Sequence, residues 1–347
     1  MRKILILLML VVMLSVPMQA AELELPDTPE SASTYLPEED GGFLENILQI
    51  LNGALQAVVP GMRQTIASCI AVLAVVILCS LFGGSENTFG SRATDLLGAV
   101  AIPAILLRPT TSLISAGLNI VGEISHYGNL LLPVMSAAMV TSGGITTASA
   151  LYLGTALFDS VLTRLVSGVL APMVNLYLAI HVASTAVGTD MLSKMCAFFR
   201  GGIIWGLKTV LYVFTGYMAI TGVISGNADS IAVKAAKVTI SGAVPVVGKI
   251  LSDATETVLV GADAVRNTLG IGGMLAIIAM TAEPFIRVGL QYLILKLTAA
   301  LCGIVGSKGQ SSLADAFAQA MGLILAMVGS VCVLQLISTV CFMKGVT

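Results

Sequence analysis

Two charged residues in an apolar stretch are the first candidates for chemistry in this sequence. Glu283 and Arg287 stand at i and i+4, on one face of a helix, with Pro284 between them. This spacing allows a carboxylate and a guanidinium to form an ion pair. Charges within or beside membrane spans call for a functional explanation by default. We therefore predict that the two side chains pair, either as a structural contact or as part of a water-lined pathway or a subunit contact.

A second set of charges lies in residues 225–259, a segment too polar for a simple span and too apolar for a solvent loop. Lys249 and Asp253 stand at i and i+4, and Glu256 lies next along the same side, beyond a break at Pro245. Broken polar elements at membrane depth occur only inside protein or beside a water-filled cavity. The segment predicts two amphipathic helices around the break, re-entrant or at the interface. A linker lying on the membrane surface is the alternative.

Sequence signatures of enzymes have no support in this chain. It holds neither HExxH nor GxSxG, and residues 303–309 lack the Gly-Lys-Ser/Thr order of a phosphate loop. The histidines, His126 and His181, stand in no triad or metal-ligand pattern. Asp159 has no second acid in the context that an aspartyl protease needs, although Arg164 is a candidate partner. We expect no catalysis, no cofactor and no metal site.

Composition identifies the environment in which these residues must be held. Hydrophobic residues make up 56% of the 347 residues, and charged residues 10%, against about 25% charged in ordinary soluble domains. The mean hydropathy is +0.97. A soluble enzyme is excluded because so much apolar surface cannot face water. The sequence has no basic run, so nucleic-acid binding has no support either.

The predicted fold is an all-α polytopic integral membrane protein with about seven transmembrane helices, within a range of six to eight, plus amphipathic or re-entrant helices. A span needs about 20 residues, and charge-free gaps mark the spans. A short apolar run after Arg2 and Lys3 is typical of a cleaved secretory signal, with a retained anchor as the alternative. Cleavage would place the next segment outside the cytoplasm. The predicted order is a signal peptide (1–21), an acidic disordered extracytoplasmic segment (22–41), an amphipathic helix (42–62), transmembrane helices (63–224), the amphipathic or re-entrant segment (225–268) and C-terminal transmembrane helices (269–347).

Proline and glycine positions predict interruptions of these helices. The charge-free stretches on either side of Arg108-Pro109 indicate one span broken there, or two half-helices. Gly143-Gly144, Gly201-Gly202 and Gly272-Gly273 lie in apolar runs, where small residues let helices approach closely. Hinges or breaks at these glycines are the alternative to close packing.

One block of residues is specific enough to indicate a family. The run comprises Ser225-Gly226, Asp229, Lys234, Lys237, Val244-Pro-Val-Val-Gly248, Leu251-Ser-Asp-Ala254 and Glu256-Thr-Val-Leu259. It resembles the stage III sporulation protein AE family, as do the signal, the acidic segment and the polytopic remainder.

The resemblance implies a membrane subunit of the sporulation channel, a secretion-like complex that links mother cell and forespore and supports forespore development and late forespore gene expression. It implies a place in the mother-cell membrane around the forespore. The implied partners are sister stage III sporulation operon proteins, namely an ATPase, small membrane subunits and ring-forming proteins, and indirectly stage II sporulation protein Q. A homo-oligomer is left open.

Two rival hypotheses stand beside this one. A self-contained permease for a small solute is the first alternative, and it predicts transport by the purified protein alone in liposomes. A membrane enzyme ranks last, because the sequence offers no nucleophile or metal constellation.

The charged stripe on Lys249, Asp253 and Glu256 generates a test. If the stripe contacts another subunit, Asp253→Lys should insert at a normal level but abolish co-purification of sister subunits and block sporulation after engulfment. If it rests on the lipid surface, an added cation is attracted to anionic headgroups and the substitution is harmless. Normal spore yield from the Asp253→Lys strain would defeat the contact-surface interpretation.

Overall fold

A computed structural model of the chain describes the backbone of residues 24–36, 42–83, 88–187, 190–243 and 248–344. The side chains of 222–260, and several near 83–95 and 190–193, lie outside this description. The predicted signal peptide at 1–21 falls outside the described residues. The predicted acidic segment at 22–41 is described only at 24–36.

The described chain is a bundle of helices, and no strand occurs in it. In chain order the helices are α1 (Glu30–Ser33), α2 (Phe43–Gly83), α3 (Thr88–Thr141), α4 (Ile145–Leu165), a π-helical turn (Val166–Leu170), α5 (Ala171–Val187), α6 (Asp190–Ala243), α7 (Gly248–Val305) and α8 (Lys308–Lys344). The all-α prediction is therefore confirmed.

Six helical segments in the described residues are long and apolar enough to cross a membrane. They are Phe43–Phe82, Leu96–Thr141, Ile145–Val187, Lys194–Thr221, Gly261–Val305 and Lys308–Lys344. Six spans are within the predicted range of six to eight, and they are one fewer than the predicted number of seven. Apolar stretches that read as separate spans in the sequence are continuous in the fold, since α4 and α5 join through the π-helical turn into one segment.

The predicted break at Arg108-Pro109 does not occur. Helix α3 runs for 54 residues through Pro103, Pro109 and Pro133. Likewise the predicted amphipathic helix at 42–62 is the first half of α2, which continues through Pro60. Proline removes one backbone hydrogen bond, but tertiary packing against neighbouring helices can hold the helix straight enough to continue.

Helix α8 is the centre of the bundle. It packs against α3, α4, α5, α6 and α7. In its most apolar stretch 56% of the residues are buried inside the protein, against 22% in the corresponding stretch of α2. Its inward positions are rich in alanine, including Ala314, Ala316, Ala318 and Ala320, all buried. Small side chains let the surrounding backbones approach α8 closely, as is usual in membrane bundles.

Glycines of α3 set the closeness of its contact with α8. A Cβ atom built on Gly98 would lie 2.6 Å from Nε2 of Gln310, and one on Gly117 would lie 2.6 Å from Cγ2 of Ile324. Gly273 of α7 similarly has room only for hydrogen beside Leu131, at 2.7 Å. Gly143 instead serves the turn between α3 and α4, where its φ is 90°, a conformation that glycine adopts without steric cost.

The part of the acidic segment that is described packs on the bundle, contrary to the predicted disorder. Ser31 Oγ donates to Glu123 Oε2 of α3 at 2.8 Å, and Ala32 is fully buried. Leu25 contacts the surface of α7 at Gly272. A side-chain hydrogen bond and a few apolar side chains therefore hold this segment on the bundle.

The close contact at Gly117 predicts a stability difference between two glycines of α3. Gly117→Ala should destabilise the bundle by about 1–3 kcal/mol, because the new methyl group overpacks against Ile324. Gly122 is the matched control, since a Cβ there meets nothing within 4 Å, and Gly122→Ala should be neutral or stabilising by helix propensity. Melting temperatures of the detergent-purified variants decide the matter. Equal melting temperatures for the two variants would contradict the described α3–α8 contact.

Candidate functional site

A buried carboxylate, Asp159, lies where three helices meet. Asp159 and Thr155 are one turn apart on α4 and are both fully buried. Ser125 and Asn129 are one turn apart on α3, and residues one turn apart share a helix face. Opposite them, α8 presents Gln335 and Ser338, each 2% exposed. The three helices thus carry matching polar positions in otherwise apolar faces.

Both oxygens of the Asp159 carboxyl group accept hydrogen bonds. Ser125 Oγ donates to Oδ2 at 2.5 Å, and Gln335 Nε2 donates to Oδ1 at 2.8 Å. Asn129 Nδ2 makes a longer contact of 3.5 Å with Oδ2. One turn away, the hydroxyl groups of Thr155 and Ser338 are hydrogen-bonded to each other, with 2.6 Å between Oγ1 and Oγ. We call these six residues the Asp159 cluster.

Asp159 is held by hydrogen bonds from neutral groups and by no ion pair among the described residues. The described residues include three ion pairs, Arg266–Asp263, Arg287–Glu283 and Lys296–Asp315, and none of them involves Asp159. A buried polar group is costly unless it is hydrogen-bonded. Here neutral donors from α3 and α8 satisfy the carboxyl group, so the cluster ties three helices together through one acidic side chain.

Gly128 of α3 makes room for this arrangement. A Cβ atom at this position would overlap the side-chain amide of Gln335. Because Gly128 lacks that atom, the amide of Gln335 can pass the α3 backbone and reach Asp159. The position of the Gln335 side chain therefore depends on glycine at residue 128.

Sequence reasoning identified Asp159 but not its partners. Arg164, the candidate partner on the same helix, is exposed, and no ion pair joins the two in the described residues. The true partners stand 34 and 176 residues away, at Ser125 and Gln335. Polar residues at helical spacing inside apolar stretches were a usable signal, but spacing alone does not tell which helices meet.

The predicted pair of Glu283 and Arg287 forms on α7. Arg287 Nη2 lies 2.9 Å from Glu283 Oε1, and the side chains of Arg287 and Glu283 are 45% and 28% exposed, respectively. Tyr35, after α1, lies close by. Burial raises the pKa of Tyr35, the Glu283 carboxylate raises it further and Arg287 opposes the shift. A role of the pair in a pathway or a subunit contact stays a prediction.

The stripe of Lys249, Asp253 and Glu256 falls on the first turns of α7, whose backbone is helical. Their side chains lie outside the described residues, as does the backbone at 244–247. The predicted contact role of this stripe therefore stays a prediction.

A second polar network that the sequence did not predict joins α5, α7 and α8. Lys296 pairs with Asp315, and Gln319 Nε2 donates to the other oxygen of Asp315 at 2.6 Å. Tyr177 completes the chain by donating to Oε1 of Gln319 at 3.2 Å. In the part of the chain that is described, no group of three or more His, Cys, Asp or Glu side chains is placed to hold a metal ion.

Comparison with known proteins gives two matches of the same kind. The family model for stage III sporulation protein AE matches residues 33–345. The curated stage III sporulation protein AE of Bacillus subtilis (strain 168) is 23% identical over 239 residues, which is 68% of this chain and 60% of that protein. The match thus spans less than two thirds of the curated relative. No solved structure matches the chain.

The Asp159 cluster predicts a graded response to substitution. Asp159→Ala should destabilise the protein by about 1–3 kcal/mol, since the buried donors of Ser125 and Gln335 lose their acceptor. Asp159→Asn should cost less, because the introduced side-chain amide and that of Gln335 can rotate and pair again. Exposed Ser160 on the same helix provides the control, Ser160→Ala. The readouts are membrane abundance and the melting temperature in detergent, and an Asp159→Ala protein as stable as the control would contradict the cluster's structural role.

Proposed function

The chain belongs to the stage III sporulation protein AE family, and from this premise we propose that it is a membrane subunit of the secretion-like channel complex that links mother cell and forespore. Its task in that complex is to support forespore development and late forespore gene expression. The family is a family of sporulation proteins, and the six apolar helices indicate an integral membrane protein. We further propose that it resides in the mother-cell membrane around the forespore, with its N-terminal segment outside the cytoplasm.

The observation that carries this proposal is the apolar surface of α2. Large hydrophobic side chains are exposed along both halves of the helix. They are Phe43, Leu44, Leu48, Leu51, Leu55, Val59, Ile66, Ile70, Ile77, Leu78, Leu81 and Phe82. Exposed apolar patches of this extent mark contact with lipid or with another protein.

The hydrocarbon layer of a bilayer is too thin to cover the whole of this surface. Helix α2 has 41 residues, and at 1.5 Å per residue it is about 60 Å long. The hydrocarbon layer of a bilayer is about 30 Å thick. Even at a tilt of 40°, the upper end of the observed range, the helix would still extend over about 46 Å of depth. Part of its apolar surface therefore lies outside the hydrocarbon layer, which supports membership of a multi-subunit assembly.

The first half of α2 is the better candidate for the protein-covered part. Its exposed leucines alternate around the helix with polar residues such as Gln49 and Gln56, which are exposed as well. The second half carries no charge and is mostly apolar from Ile66 to Phe82, and it is suited to lipid. We propose that a sister subunit packs on the leucines of the first half.

The proposed partners are those that the family resemblance implies: the cytoplasmic ATPase, the small membrane subunits and the ring-forming proteins, with stage II sporulation protein Q reached indirectly. Further copies of this chain are candidates for the same surface. The proposed role is non-enzymatic and needs no cofactor.

A self-contained permease remains the second candidate function, and the Asp159 cluster is the observation that favours it. Ionisable residues inside membrane bundles often lie on ion or substrate pathways. Liposomes that contain only this protein would separate the candidates, since a permease transports solute without sister subunits and a channel subunit does not.

The leucine surface generates a direct test in sporulating cells. Leu48→Gln combined with Leu55→Gln should leave membrane abundance unchanged, because both side chains are exposed, at 60% and 46%. It should reduce co-purification of sister subunits at least tenfold and block sporulation after engulfment. Gln49→Ala combined with Gln56→Ala alters the neighbouring polar face of the same helix and is the control. Wild-type co-purification and spore yield in the leucine variant would refute the proposed contact.

A further inference from the structure

A cavity lined by both polar and apolar side chains lies between α2, α3 and α7. Its volume is about 650 Å³, within the 300–1,000 Å³ range of small-molecule pockets. Arg108 of α3 and Arg287 of α7 both line it, together with Gln64, Thr65 and Ser68 of α2, Ser112 of α3 and Gln291 of α7. No acidic side chain is among its described lining residues.

Gln291 is the second, independent sign of a ligand. The residue is 2% exposed, yet both its amide nitrogen and its amide oxygen lack a hydrogen-bond partner among the described residues. Buried polar side chains are nearly always hydrogen-bonded, and each exception requires an explanation. Gln291 is also among the residues that line the cavity, and a turn of its side chain would bring the two unused amide positions to a bound group.

The charged side chains that line the cavity indicate which chemical class of ligand it would bind. The guanidinium of Arg108 takes part in none of the ion pairs of the described side chains, whereas Arg287 is partly neutralised by Glu283 at 2.9 Å. The lining therefore carries net positive charge beside hydroxyl and amide donors. Arginine binds phosphate through two parallel hydrogen bonds, and phosphate oxygens accept further bonds from hydroxyl and amide groups.

We propose that this cavity binds a phosphate group, held by Arg108 and Arg287 and completed by the amide of Gln291. The group belongs either to the headgroup of an anionic phospholipid or to a soluble phosphate. The three helices that enclose the cavity are among the six apolar segments, and apolar side chains such as Met62, Leu113 and Ile294 also line it. Both sources therefore present the same chemistry to the same three residues. The proposal rests on these helices alone and stands independently of the channel assembly.

The test uses the purified full-length protein in a neutral detergent and measures its melting temperature with three additions. These are a phosphatidylglycerol, inorganic phosphate, and an uncharged diacylglycerol as the lipid control. A bound ligand stabilises the folded state by mass action, so saturating the site should raise the melting temperature by several degrees. The diacylglycerol should give no comparable shift.

Three variants attribute the shift to the cavity. Arg108→Gln and Gln291→Leu should each weaken binding at least tenfold, as judged from the concentration at half-maximal shift. Arg164→Gln should leave the shift intact, because exposed Arg164 on α4 does not line the cavity. Arg287 is not substituted, since its loss would leave Glu283 unpaired. Gln291→Leu preserves size and removes no charge, so it reports on the site even if Arg108→Gln folds poorly.

The outcomes separate the two sources and the failure of the proposal. A shift with phosphatidylglycerol alone, lost in both cavity variants, assigns a lipid headgroup. A shift with inorganic phosphate that shows the same dependence assigns a soluble phosphate. No shift with either ligand, or a shift that both cavity variants retain, would overturn the proposed site.

Discussion

The thickness of the bilayer is the constraint on which this structure depends. Helices α2, α3 and α7 have 41, 54 and 58 residues, and helices of these lengths are about 60–87 Å long. A hydrocarbon layer of about 30 Å covers no more than about half of any of them when the helix stands perpendicular to the membrane. Their remaining length must be stabilised by one another and by α8, and, under the proposed function, by partner subunits. Under the proposed function, the exposed leucines in the first half of α2 belong to this remaining length, since the bundle leaves them uncovered.

Inside the bundle, close approach and polar satisfaction are linked. Gly98, Gly117 and Gly128 bring α3 against α8, and the contact at Gly128 lets Gln335 reach Asp159. Lipid tails are as apolar as the helix surfaces, so the hydrophobic effect does not drive helices together inside the bilayer. Packing and interhelical hydrogen bonds hold them together instead. The Asp159 cluster therefore joins α3, α4 and α8 through hydrogen bonds.

Short-range features of this fold were accessible from the sequence, and long-range ones were not. Pairing of Glu283 with Arg287 follows from their i, i+4 spacing, and the helical membrane fold follows from composition. The partners of Asp159 depend on which helices touch, a property that local spacing does not encode. The break expected at Arg108-Pro109 was wrong because neighbouring helices support α3 where an isolated proline would end it. At Gly143 the turn was the alternative and close packing the favoured prediction, since an apolar context is compatible with both.

The central claim is that protein, not lipid, covers the first half of α2. Site-specific photo-crosslinking in sporulating cells tests it most directly, with the reactive group placed at Leu48 or Leu55. Exposed Leu153 and Leu157 of α4, at 66% and 59%, serve as comparison positions. The account predicts discrete protein adducts from Leu48 and Leu55 that appear only when the sister subunits are present, and lipid adducts from the α4 positions. Lipid adducts alone from all four positions would contradict it.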